Sequence, residues 1–344
     1  MTGAPEGWVG GWIDVGLQLP SASERWRSAG YRDELRAWVA RETGEPTSLE
    51  PVKVRAWASV WRAVTPGGVH YAKQNCATQP FEAALLAELV RLVPQHVVPL
   101  TAVDLDRGLL LTPDQGPVLG EGDLDTWRRV VAAGAALQRA LVPHVDGLVA
   151  AGVSRLLPAD AEEYVAQRLD GFAALPAGDR RALAPDRLAA LRAHLPVVRR
   201  WAEQVAALGL PATLVHNDLH GNNVFDREDG LRFFDFGDAL VMEPLAVLAI
   251  PLEMLAARLG AGPDDPRLWR VAEAALEVWS DRAPLAELRA ALPAALQLGR
   301  LGRTETWLRC TPPMNDEELD SFAGAGAASL AALLDAPVLG HLPG

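Results

Sequence analysis

Asp218, Asn223 five positions later and Asp235 twelve beyond that are the groups in this chain whose types and spacing could do chemistry together. An acid, an amide and a second acid in this order suit metal-dependent phosphoryl transfer. That reaction needs little covalent help from a protein; it needs a positioned acceptor hydroxyl and magnesium to neutralise charge. Asp218 would accept or orient the hydroxyl proton, Asn223 would offer a neutral oxygen to one metal ion, and Asp235 would bridge the metals with its carboxylate. Magnesium selects such hard oxygen ligands. The alternative is an incidental polar turn between two strands, which requires both motifs to coincide in order and spacing.

These groups need rigid supports. The local pattern predicts a strand over 213–215, a catalytic loop, a short strand over 223–225, a turn over 226–230 and a strand over 231–234. Upstream, β-rich runs flank Thr65-Pro-Gly-Gly68 and read as a hairpin whose second strand carries Lys73. Lys53 is the other lysine in an otherwise arginine-based set of cations. Pro80-Phe-Glu82 opens a predicted helix with proline near its start.

The stretches His216-Asn-Asp218-Leu-His220-Gly-Asn-Asn223 and Phe233-Phe-Asp235-Phe-Gly-Asp238 resemble the motifs of the aminoglycoside phosphotransferase and choline kinase family. The resemblance implies an α+β, bilobal protein-kinase-like fold with a small antiparallel-sheet N-lobe and a larger, mainly helical C-lobe. It implies a loop-anchoring role for His216, catalysis by Asp218, and metal binding by Asn223 and Asp235. His220 stands where the family often has histidine, either holding the loop or touching the transferring phosphoryl. Gly221 and Asn222 depart from the proline and glycine frequent at those places.

The same resemblance assigns Lys73 to the nucleotide phosphates and Glu82 to pairing with it, Glu88 being the competing glutamate. Ser59 is a candidate phosphate contact, on a loop that lacks the Gly-x-Gly-x-x-Gly of protein kinases. The segment 111–115, including Asp114, is expected to face the adenine. The implied division is a nucleotide-binding lobe over 1–112, a hinge over 113–117 and a helical lobe over 118–344. The implied cofactors are Mg2+ and ATP or GTP, and the implied partner is a small hydroxyl-bearing acceptor.

Composition sets further bounds. At 344 residues and 49% hydrophobic, the chain can bury a large core. Two cysteines give neither a disulfide framework nor a metal cluster. Met1-Thr-Gly-Ala-Pro-Glu lacks a leader pattern, and no long uncharged apolar run suggests a membrane span, so a soluble, cytoplasmic protein is expected. A net charge of −12 argues against nucleic acid as a partner. It also favours a cationic acceptor, although such a charge equally serves solubility.

Helical periodicity covers 31–41, then 123–144 and 159–208, broken by Pro158, Pro176, Pro185 and Pro196, and then 246–259, 266–279, 284–301 and 316–334. Trp8, Trp12, Trp26 and Trp38 read as packing residues. Asp238, Glu243, Glu253, Glu305 and Trp307 are candidate acceptor contacts, with solvated charge or core packing as the alternative. The leading expectation is a kinase of an antibiotic hydroxyl, on an aminoglycoside, nucleoside or other glycosylated natural product. A kinase of an amino sugar or amino alcohol and a nucleotide-binding pseudokinase are the alternatives. A protein kinase would have an Arg before Asp218 and an Ala-Pro-Glu segment after Asp235, and the chain has neither. A metal-dependent hydrolase would leave Lys73 without a role.

Overall fold

The computed structural model describes residues 8–9 and 11–342. Met1 to Glu6 and the side chain of Trp8 lie outside the described part. Strands β1 (Trp8–Val9) and β2 (Trp12–Ile13) form a short hairpin. Helices α1 (Ala22–Arg27) and α2 (Ala29–Thr43) each start on a serine whose hydroxyl accepts a first-turn N–H, Ser21 from Glu24 and Ser28 from Tyr31.

Strands β3 (Ser48–Val54), β4 (Ala58–Thr65) and β5 (Gly68–Asn75) follow, then helix α3 (Glu82–Leu92) and strands β6 (Ala102–Asp104) and β7 (Leu109–Pro113). The strands make one antiparallel sheet in the order β3-β4-β5-β7-β6. Gly68, at φ 113°, supplies the positive φ that the β4–β5 turn requires. Register sets the two faces of this sheet, because directly opposed residues share a face. Trp61 opposes Ala72, and both pack under α2 with Leu35, Trp38 and Val39. Val60 opposes Lys73, one step on along each strand, so these two face the other way, into the cleft.

The larger lobe contains α4 (Leu124–Leu141), α5 (Val145–Ala150), α6 (Ala161–Ala174) and α7 (Pro185–Ala206). Strands β8 (Thr213–Val215), β9 (Val224–Arg227), β10 (Gly230–Phe233) and β11 (Leu240–Met242) form two antiparallel pairs, β8 with β11 and β9 with β10. Helices α8 (Ala249–Leu259), α9 (Pro266–Leu276), α10 (Leu285–Cys310), α11 (Asp316–Phe322) and α12 (Ala325–Ala331) complete it. No described helix is long and apolar enough to cross a membrane.

Several expected boundaries move. Pro196 does not break α7, whose buried face of Leu191, Val198 and Trp201 spans it; tertiary packing there outweighs the lost backbone hydrogen bond. The helix expected over 284–301 continues to Cys310, because Thr304, Glu305, Thr306, Leu308 and Arg309 are all buried and carry it on. The segment 316–334 divides near Gly324 into α11 and α12. Trp12, Ile13 and Val15 join the core of the larger lobe, where Trp12 meets Tyr164 edge-on at 5.1 Å. Residues 12–15 therefore pack against the larger lobe.

Candidate active site

The loop that carries Asp218 starts from β8, whose Thr213, Leu214 and Val215 are buried. Asn217 and Asp235 are the non-glycine residues with positive φ among the described residues, at 57° and 63°. Left-handed backbone costs an L-residue about 1 kcal/mol, so surrounding contacts must hold both. Asn217 donates from Nδ2 to the Asp238 carbonyl at 3.2 Å, tying the two loops together. His216 donates from Nε2 to the Phe234 carbonyl at 2.9 Å, and burial lowers its pKa so that the ring stays neutral. Gly302 brings α10 against this loop: a Cβ there would fall 2.5 Å from Asn217 Oδ1.

Asp218 is held by three neighbours. His220 accepts the Asn222 N–H on Nδ1 at 3.2 Å, leaving its Nε2–H to donate to Asp218 Oδ2 at 3.2 Å. Arg303 donates to Asp218 Oδ1 at 3.1 Å. Burial raises the Asp218 pKa, but His220 and Arg303 together outweigh it and hold the carboxyl at about 2. Asn223 donates from Nδ2 to the Asp218 carbonyl at 2.9 Å, which commits its nitrogen to the loop and leaves Oδ1 outside that bond.

Lys73, Glu82 and Asp235 meet across the cleft. Lys73 Nζ lies 2.6 Å from Glu82 Oε2 and also pairs with Asp235 Oδ1, with only 11% of its side chain exposed. Glu82 Oε1 accepts the Phe236 N–H at 2.9 Å, and Asn75 donates to its Oε2 at 2.6 Å. Burial alone would lower the Lys73 pKa; the two carboxylates reverse this and keep it protonated. Burial would raise Asp235, and Lys73 more than offsets that, holding it below the ordinary range. The choice between two glutamates thus falls to Glu82, since Glu88 pairs with Arg91.

Other expected residues stand elsewhere. Ser59 is fully buried on the α2 face of the sheet, its hydroxyl 3.1 Å from the Tyr31 hydroxyl, so its side chain does not reach the phosphate side. Asp114 is exposed and accepts the Gly116 N–H at 2.9 Å, a turn-forming role. Glu305 is buried in a network with Ile13 N, Tyr164 and Arg309. Glu253 pairs with Arg300, and Glu243 caps the turn at Leu245. Asp238 and Trp307 do line the cleft, together with Lys53, Trp57, Gln79 and Arg303. Burial and Asp218 push the Asp238 carboxyl up to about 7, against the pull of Arg303. Arg303 was missed because it lies 85 residues beyond Asp218, with no local signal.

Among the described residues no three His, Cys, Asp or Glu side chains are grouped to hold a metal ion unaided. Magnesium needs no such cage when phosphate oxygens and water complete its shell. The donors present fit that mode: Lys73 holds the Asp235 carboxyl below the ordinary range, Asn223 presents Oδ1, and the Phe234 N–H beside Asp235 donates to the Asn223 carbonyl at 3.2 Å, joining the two segments.

A five-stranded lobe carrying a buried lysine, a helical lobe carrying paired loops, and a Lys–Glu bridge from β5 to α3 define the bilobal protein-kinase-like fold. The chain is similar over 89% of its length to 98% of a macrolide 2'-phosphotransferase type I, at 18% identity and TM-score 0.57. It is similar over 86% of its length to 85% of a Plasmodium vivax ethanolamine kinase (10% identity, TM-score 0.62), and over 88% to the whole of a choline kinase from Streptococcus pneumoniae (13% identity, TM-score 0.54). These are members of the family whose motifs the sequence resembles, and likeness at such identities establishes the fold. No protein-family profile and no curated protein sequence matches the chain.

Proposed function

We propose that this protein transfers the γ-phosphoryl group of ATP or GTP to a hydroxyl of a small molecule, and that the acceptor is an antibiotic. The observation that carries the reading is the Lys73 bridge to Glu82 and Asp235, which brings β5, α3 and the Asp235 turn to one point beside Asp218. A fold kept for a structural purpose has no need of a buried lysine shared by two carboxylates, an arrangement whose desolvation cost is high. In the reaction Lys73 would hold nucleotide phosphates, while Asn223 and Asp235 would hold magnesium, which neutralises charge on those phosphates. Asp218, ionised at any ordinary pH, would orient the acceptor hydroxyl and take its proton late, as the oxygen bonds to phosphorus. His216 and His220 would keep that carboxylate in place.

The antibiotic reading draws on the activities of similar structures, among them a macrolide 2'-phosphotransferase and an amicoumacin kinase with TM-score 0.56. Adding about −1.5 to −2 charges to a drug hydroxyl would spoil recognition by a target built for the unmodified compound. The test is a mass-spectrometric transfer screen with magnesium, ATP or GTP and pooled antibiotics, amino sugars and amino alcohols. Asp218→Ala should lower transfer by about 10²–10⁴-fold while nucleotide still binds. Transfer by Asp218→Ala within about tenfold of the wild-type rate, or a wild-type protein that fails to bind magnesium nucleotide, would sink the reading.

A further inference from the structure

We propose that Arg303 and Trp307 of α10 form the acceptor subsite and select an uncharged, ring-containing alcohol over one bearing an ammonium group beside its reacting hydroxyl. This rests on the kinase reading and names its substrate class. The chain as a whole carries −12, yet the charged side chains that line the cleft are matched in number. Its lining contains three carboxylates, Asp218, Asp235 and Asp238, and three cations, Lys53, Lys73 and Arg303.

Each of those carboxylates already has a cationic partner. Asp235 pairs with Lys73. Asp218 and Asp238 share Arg303, at 3.1 and 3.2 Å. An ammonium group placed beside Asp218 would have to displace the guanidinium or stand next to it, and like charges in a half-buried site repel.

A second route for cation recognition is also taken. An aromatic face attracts a cation within about 6 Å of its centroid. The Arg303 guanidinium lies 5.3 Å from the Trp307 ring centre, so the protein's own cation stands at that face. What the aromatic groups still present is apolar area. Trp57 meets Trp307 at 5.8 Å and Phe322 at 5.4 Å, and Trp307 stacks on Phe322 at 6.0 Å. Trp57 and Trp307 both line the cleft, and edges of this kind suit the apolar face of a sugar or a planar ring. Arg303, with further N–H groups beyond those on Asp218 and Asp238, would donate to a neutral acceptor oxygen.

The experiment compares matched acceptors, each hydroxyl compound beside its amino counterpart, by kcat/KM with magnesium ATP. The wild-type protein should favour the uncharged member roughly tenfold or more. Arg303→Met should narrow or invert that ratio, with the acceptor KM rising for the uncharged member and the nucleotide KM unmoved, and Arg303→Lys should keep the wild-type order. A nucleotide-dependent rise in melting temperature would show that each variant is folded; if Arg303→Met fails this, the wild-type ratio alone decides. A wild-type preference for the ammonium-bearing member overturns the proposal. So does an equal fall for both members in Arg303→Met, which would make Arg303 a positioning residue for Asp218 only. No transfer to any acceptor by the wild-type protein would instead remove the kinase reading, and this inference with it.

Discussion

At the scale of single residues, the site depends on positions where an added or missing atom cannot be absorbed. Gly221 lies so close to the preceding segment that a Cβ would fall 1.6 Å from the Gly120 carbonyl oxygen. Both partners in that clash are backbone, and the Gly120 N–H donates back to the Gly221 carbonyl at 3.1 Å, so neither strand of chain can turn aside. Gly221→Ala must therefore push the loop between Asp218 and Asn223 away from 119–120. We expect a stability loss on the order of 2–3 kcal/mol and a larger proportional loss of transfer, since a displacement of about 1 Å at the reacting groups can cost about 10²-fold. Denaturant unfolding and turnover, measured side by side, check this; a variant with wild-type turnover would show that the loop is not held from Gly120. The same close approach gives a physical reason for glycine at 221, where the resembled family often has proline.

At the scale of elements, the Lys73 bridge fastens α3 to β5 and to the turn after β10. Lys73→Met would leave buried Glu82 and part-buried Asp235 together without their cation. Removing one partner of a buried pair typically costs about 3–5 kcal/mol, and here two like charges remain. Their folded-state pKa values would rise above the unfolded ones, so the deficit should be largest near pH 8 and shrink as pH falls and the carboxyls take up protons. Unfolding midpoints at pH 5 and pH 8 test the sign, and a deficit that grows on acidification would reject it. This triad was legible in the sequence because each member lies in a motif of its own, and Lys73 also because the chain has so few lysines. Ser59 was misplaced although the needed signal was present: it opposes Gln74, one step from the Val60–Lys73 pair, so alternation puts it on the covered face. Arg303 and Trp57 were not legible as site residues. Their roles come from the packing of α10 and of the β3–β4 turn at the cleft, which no local pattern encodes. The uninterrupted α7 and α10 exceeded their expected ends for a related reason, since burial of one face outweighs local breakers.

At the scale of the whole molecule, the lobes are joined by more than the hinge. Trp57 on the sheet side meets Trp307 and Phe322 on the other. A fold closed in this way buries acids that water would otherwise keep ionised. Glu243 is 5% exposed, accepts the Leu245 N–H at 2.8 Å through Oε2, and is pushed by burial up to about 8. Asp238, at about 7, moves in the same direction. The folded state therefore binds more protons than the unfolded chain from about pH 4 upward, and the stability these groups contribute is full below that value and lost as pH rises through 7 to 8. The protein should be more resistant to denaturant at pH 5 than at pH 9, with Glu243 alone accounting for a difference on the order of 3 kcal/mol. Glu243→Gln isolates that share, because the amide oxygen can still accept the Leu245 N–H but cannot ionise. The variant should match the wild-type protein within about 1 kcal/mol at pH 5 and exceed it by on the order of 2–3 kcal/mol at pH 9. Glu243 is placed here as a turn cap and not in the transfer machinery, so the gain should come without a change in nucleotide binding; parallel stability curves for the two proteins would mean that Glu243 is ionised in the fold and that the pH dependence arises elsewhere.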